Sequence, residues 1–185
     1  MMYTKRYIFS IVAITLIFTL LLFKDLGFND FAEEIAGKKN CLISMDKSKI
    51  KPDDGDSFFY NDIAIRVLGI DTPEIIHKDH GIFEDQPYGR EAATMTANIL
   101  AGAETIFYIP LKNDKYGRLL SHIFVDGELL SVLLIKEGLA YETISYYGDN
   151  GFPDLAEMIL KAARNSKQPK FEKPYKWRRK HQAVQ

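Results

Sequence analysis

One cysteine in 185 residues leaves no internal partner for a disulfide and too few thiols for a cysteine-held zinc. Cys41 therefore reads as a small apolar packing residue. Glycine (12) and proline (7) are too sparse for a collagen-like or low-complexity chain, and 46% hydrophobic residues lie well above the disordered range. No Walker loop and no Gly-x-Ser-x-Gly elbow occurs, so NTPase and serine-hydrolase chemistry have no sequence support. Internal repeats are absent too. Net charge is almost missing: 24 Lys/Arg stand against 25 Asp/Glu, a formal −1. That balance hides an asymmetry. Residues 161–181 hold nine Lys/Arg against one acid, Glu172, which leaves 15 basic and 24 acidic residues elsewhere. A purely electrostatic binder of polyanions would not have an acidic body. If the partner is a polyanion, something must reverse the sign locally.

Long apolar runs are confined to one place. Lys5 and Arg6 precede residues 7–23, seventeen residues interrupted only by Ser10, Thr15 and Thr19. As a helix rising about 1.5 Å per residue the run covers roughly 25 Å, against a bilayer core of about 30 Å. It exceeds the roughly 7–15 apolar residues of a signal peptide. A small-x-small cleavage site is not evident, since Glu34 precedes Ala36 and Asp30 precedes Ala32; Lys38-Lys39-Asn40 before Cys41 excludes a lipoprotein signal. Residues 1–23 are expected to form a hydrophobic signal anchor, with a cleaved export signal as the alternative. The basic flank places the N-terminus inside and the rest outside the cytoplasm, as a membrane-anchored or a secreted domain. Residues 24–40 read as a linker.

From Cys41 the pattern changes. Residues 58–60, the turn Asn61-Asp62 and residues 63–70 predict a β-hairpin, in which Ile63, Ile65 and Val67 alternate with Ala64, Arg66 and Leu68. A helix is predicted over 89–100, stopping near Gly102. Strands follow over 105–111 and 119–125, the second ending at Asp126-Gly127. Further helices are predicted over 129–137, before Gly138, and over 154–164, after Pro153. Short strands first, helices interspersed later and no regular βαβ alternation indicate an α+β fold around a small barrel.

The chemistry concentrates in Asp53-Asp54-Gly55-Asp56-Ser57 and, across the hairpin, in residues 66–74. Asp54 and Asp56 are two apart and share a side of an extended chain; Asp71 and Glu74 end the returning strand. A hairpin brings its outer ends together, so four carboxylates gather there, which is unfavourable unless a hard cation or arginine neutralises them. Oxygen-only donors suit Ca²⁺, Mg²⁺ or Mn²⁺ rather than zinc. Asp-Gly and Thr-Pro are also ordinary turn formers, which is the plain alternative for each residue alone. Residues 113–118, Asn-Asp-Lys-Tyr-Gly-Arg, form a polar turn before a strand. Beside Arg66, Arg118 would supply a second planar fork for phosphate oxygens.

Taken together and in order, DGDS (54–57), R-x₄-DTPE (66–74) and DKYGR (114–118) resemble the staphylococcal nuclease family, over roughly residues 41–165. The resemblance includes YGREAA (88–93) and the EGLA ending at Ala140. It implies a five-stranded OB-fold barrel with three helices, and Ca²⁺-dependent hydrolysis of DNA or RNA leaving 5′-hydroxyl and 3′-phosphate ends. Residue by residue, it implies that Asp56, Asp71 and the Thr72 carbonyl hold calcium, with Asp54 acting through water. It implies Glu74 as general base, Arg66 and Arg118 as phosphate-binding arginines, and Lys115 and Tyr116 as nucleotide contacts. Ser57 stands where the family has threonine and keeps the hydroxyl. Two departures stand out. The loop 75–87 is longer than in the type member and carries His77, His80, Glu84 and Asp85, and residues 166–185 form a basic C-terminal tail. The base-stacking tyrosine is open among Tyr141, Tyr146 and Tyr147. The tail, with Tyr175 and Trp177 among its lysines and arginines, reads as a nucleic-acid holder, a membrane-surface adhesive or a solvated end. His77 and His80 lack further zinc ligands, and His122 reads as a packed strand residue. A monomer is expected. The alternative function is a non-catalytic OB module binding nucleic acid or protein at the cell envelope.

Overall fold

A computed structural model describes residues 42–183. The expected anchor (1–23), the linker (24–40) and Cys41 lie outside the described residues. Among the described residues no helix is long and apolar enough to cross a membrane.

The hairpin at the centre of the fold forms where the sequence requires it. Strand β3 (Ser57–Tyr60) turns through Asn61 and Asp62, both at positive φ (50° and 62°), into β4 (Ile63–Val67). Two consecutive left-handed residues match the twist of the flanking strands, and Asn-Asp tolerates that geometry. The register pairs Ser57 with Arg66 and Phe58 with Ile65, which points Phe58 and Ile65 into the core. Around this hairpin lie β1 (Ile43–Ser44), β2 (Ile50–Pro52), β6 (Ile106–Asn113), β7 (Leu119–Val125) and β8 (Glu128–Leu129). The strand order is β1-β6-β7-β4-β3-β2, with β8 beside β7; the β4–β7 pair is parallel and the others antiparallel. β1 and β2 lie at opposite edges, yet only a short segment with a 3₁₀ turn at Lys47–Lys49 joins them. A flat sheet of six strands would be about 24 Å wide. Six residue steps reach at most about 21 Å when fully extended. The sheet therefore curls into a half-barrel.

The expected α+β class holds, with a different count of short pieces. Seven strands share the main sheet instead of five, because the N-terminal strand is split by the 3₁₀ turn and Glu128–Leu129 adds a short strand after the Asp126-Gly127 turn. A separate pair joins β5 (Ile70–Asp71) to β9 (Tyr141–Glu142). The three expected helices are α1 (Gly89–Gly102), α2 (Leu130–Lys136) and α4 (Pro153–Asn165). Two more are found: the single turn α3 (Ile144–Tyr147) and α5 (Pro174–His181). Leu130, Leu134, Leu155 and Ile159 from α2 and α4 meet Ile65, Ile109 and Ile123 of the sheet in one buried core.

His122 sits in that core, 1% exposed, with the edge of its ring against Phe152 at 5.1 Å. Among the described residues neither ring nitrogen has a hydrogen-bond partner, and burial lowers its pKa from 6.5 to about 4. It is a packed, neutral histidine.

Candidate active site

Two glycines bring the acidic segments into contact. A Cβ on Gly55 would lie 2.6 Å from Thr72 Oγ1, so the Asp-Gly-Asp-Ser loop touches the Asp-Thr-Pro-Glu segment only because Gly55 has no side chain. A Cβ on Gly89 would lie 2.1 Å from the Glu74 carbonyl oxygen, so the first residue of α1 can only be glycine where Glu74 stands. Gln86 completes the frame. Its Oε1 accepts from the Glu74 N–H at 3.2 Å and its own N–H donates to the Glu74 carbonyl at 2.9 Å.

Within this frame Asp56 is 1% exposed and Asp71 8%. Asp56 Oδ2 accepts from the Thr72 N–H at 2.8 Å, and its Oδ1 accepts from Ser57 Oγ at 3.2 Å and from Arg66 Nη1. Arg66 Nη2 bonds Asp71 Oδ1 at 3.0 Å and the Ile70 carbonyl at 3.3 Å. Asp54 Oδ1 accepts from the Asp56 N–H at 3.0 Å and so shapes the loop from behind. The expected meeting of Asp54, Asp56, Asp71, Thr72, Glu74 and Arg66 is thus observed. The carboxylates do not stand as a bare acidic nest. Guanidiniums separate them, and among the described residues no three Asp, Glu, His or Cys side chains are gathered as a metal-holding group.

Desolvation raises the pKa of Asp54 despite the opposing charge of Arg66. Glu74 is raised as well, by burial that outweighs the attraction of Arg178. Asp56 and Asp71 offer only oxygen donors, the type a hard divalent cation prefers, and guanidiniums pair with both of them.

Arg118 stands apart from that pairing. Asp114 organises its loop, with Oδ1 accepting from the Tyr116 and Arg118 N–H groups (2.9 and 3.0 Å) and Oδ2 from Arg118 Nε at 2.9 Å. The register places Leu120 beside Arg66, and Arg118 stands just before β7, which begins at Leu119. The ion pairs of the two arginines go to different acids, Arg66 to Asp56 and Asp71 and Arg118 to Asp114. Lys115 Nζ lies 4.8 Å from the centre of the Tyr116 ring, which is 69% exposed and open to a partner.

One participant comes from the C-terminal segment. The segment expected as a tail folds back, and Arg178 of α5 grips Asp71 with both Nη atoms at 3.1 Å and bonds Glu74 through Nη1. Burial works against the Arg178 charge, but Asp71 and Glu74 outweigh it and its pKa is raised. Trp177 is 5% exposed, so it packs instead of offering a free stacking face. The signal was present in the spacing: Phe171, Pro174 and Trp177 recur every third residue and are buried, with exposed residues between them. The longer loop also finds its purpose here, since His77 Nε2 meets Asp53 at 3.1 Å and Glu84 meets His181 at 2.5 Å. The two departures from the family pattern pack on each other.

A family model described as "Staphylococcal nuclease homologue" matches residues 64–171. That span includes Arg66, Asp71, Thr72, Glu74 and Arg118 and ends before α5. The chain is similar to a thermonuclease of Staphylococcus intermedius, 31% identical over 122 residues, 63% of this chain and 68% of that protein. It is also similar to a thermonuclease of Staphylococcus hyicus, 35% identical over 77 residues, 41% of this chain and 44% of that protein. A third relative, the endonuclease YncB of Bacillus subtilis (strain 168), is 30% identical over 136 residues, 70% of this chain and 61% of that protein. The chain thus spans less than two thirds of the second and third relatives.

Proposed function

The chain belongs to the staphylococcal nuclease homologue family, and on that footing we propose that it is a calcium-dependent nuclease that hydrolyses phosphodiester bonds in DNA or RNA to 5′-hydroxyl and 3′-phosphate ends. One observation carries the reading: Arg66, Asp56 and Asp71 form a buried charge cluster beside a Glu74 whose pKa is raised.

Each residue has a task. Asp56, Asp71 and the Thr72 carbonyl would hold Ca²⁺, which supplies positive charge to a phosphate oxygen when bound. Glu74 accepts the proton of the attacking water; a carboxylate raised above its usual range is a stronger base for that step. Arg66 and Arg118 hold the equatorial phosphate oxygens, with Arg118 leaving Asp114 for the substrate. Lys115 and the exposed Tyr116 contact the adjoining nucleotide. Asp54 steadies Asp56 through its N–H and would act on the metal through water.

The experiment is digestion of plasmid and single-stranded nucleic acid in Ca²⁺, Mg²⁺ or chelator, with the new termini identified. Calcium-dependent cleavage leaving 3′-phosphate supports the reading. Binding without cleavage would favour the non-catalytic OB module instead. We also propose an envelope location, anchored through residues 7–23 or secreted after cleavage there, and a monomeric protein. Fractionation and N-terminal sequencing test the location, and light scattering tests the state.

A further inference from the structure

Helix α5 lies over the acidic cluster as a strap. Gln86 Nε2 donates to the Glu172 carbonyl at 2.5 Å and Tyr141 Oη to the Phe171 carbonyl at 2.7 Å, which fixes the chain just before the helix. Beyond it, Gln182 Nε2 donates to the His80 carbonyl at 2.8 Å and the Ala183 N–H to the Gly81 carbonyl at 2.9 Å. Between these moorings Arg178 points into the site. Asp71 Oδ1 accepts from Arg66 at 3.0 Å and from Arg178 at 3.1 Å, and Asp71 Oδ2 accepts from Arg178 at 3.1 Å. Glu74 is bonded by the same guanidinium.

A carboxylate gripped by both nitrogens of one guanidinium has few lone pairs left for a second cation. Arg178 and a divalent ion at Asp71 therefore compete for the same oxygens, and a Glu74 bonded to Arg178 is not free to take a proton from water. The outer moorings of the strap are exposed polar bonds, among them His181–Glu84 and Gln182–His80, which water can replace at little cost.

We propose that α5 is an intramolecular latch: Arg178 occupies the cation position at Asp71 and masks Glu74, and calcium binding displaces it. The latch rests on the reading of Asp71 as metal ligand and Glu74 as base. It limits activity to conditions in which enough calcium, or calcium together with nucleic acid, opens the strap.

The chain carries its own reporter. Its one tryptophan, Trp177, precedes Arg178, is 5% exposed and stacks on His181 with ring centres 4.5 Å apart. Calcium titration of the full chain, read by calorimetry and by tryptophan emission, would compare wild type with Arg178→Ala and with Gln182→Ala, which loosens the strap without touching a carboxylate. Calcium should shift the wild-type emission to the red. Arg178→Ala should bind calcium about ten-fold or more tighter, and Gln182→Ala should tighten binding by a smaller factor. Circular dichroism establishes that each variant is folded; should Arg178→Ala fail to fold, Gln182→Ala decides alone. Unchanged or weaker binding in the folded variants overturns the latch and makes Arg178 a positioning residue for Glu74. Wild-type binding with Trp177 emission unmoved also overturns it. Failure of wild type and of both folded variants alike to bind calcium overturns the calcium reading itself, and the latch with it.

Discussion

Arg66 and Arg118 show how the same side chain is prepared in two ways. Arg66 is held against Asp56 and Asp71 inside the cluster, whereas Arg118 waits on Asp114 in a turn. A general base typically contributes about 10²–10⁴ in rate. An arginine on a transferring phosphoryl group contributes about 10³–10⁵. Arg66→Ala and Arg118→Ala are therefore expected to lose at least as much rate as Glu74→Gln in single-turnover cleavage. A nearly silent arginine variant would remove that residue from the mechanism. His122 yields a different expectation, in stability. It is neutral when folded, with a pKa of about 4, and takes up a proton near 6.5 when unfolded. Its neutral form thus contributes fully above pH 6.5, and the contribution is lost as pH falls towards 4. The loss is about 2–3 kcal/mol between pH 7 and pH 4.5. Urea unfolding of wild type and His122→Leu at those two pH values should show a smaller drop in the variant; equal drops would mean that His122 does not carry it.

The elements reveal what the sequence could and could not announce. Asn61-Asp62 between alternating apolar residues declared the β3–β4 hairpin, and Asp126-Gly127 declared the end of β7, because turn chemistry is local. The approach of Gly89 to Glu74 is not local, although the glycine itself was visible within YGREAA. It yields a paired test within α1. Gly89→Ala drives a methyl against the Glu74 carbonyl and should cost about 1–3 kcal/mol together with activity. Gly102→Ala, at the other end of the helix and with nothing within 4 Å, should be neutral or stabilising by up to about 1 kcal/mol. Thermal melts of the two variants check the contrast. α5 was hidden for a stronger reason. Seven basic residues in 166–185 with few apolar partners look like a solvated end, yet Phe171 packs against Tyr88 and Tyr141, and His181 meets Glu84 of the loop 75–87. Pairing between two distant departures cannot be read from either one.

At the scale of the molecule, the near-zero net charge resolves into a spatial arrangement. The basic C-terminal segment is not a free counterweight to an acidic body, since Arg178 supplies positive charge at the place where the carboxylates are most concentrated. Residues 43–183 form one compact unit with the core described above. Expressed from residue 42, this unit should unfold in a single cooperative urea transition that coincides by fluorescence and circular dichroism. Separate transitions would show that α5 and the sheet do not share one cooperative structure. The proposed nuclease reading is tested most directly by end-group analysis of a labelled single-stranded oligonucleotide after exposure to the purified protein, with calcium and with chelator. The expected result is fragments ending in 3′-phosphate and beginning with 5′-hydroxyl, formed only with calcium. Cleavage that survives the chelator, or fragments beginning with 5′-phosphate, would contradict it.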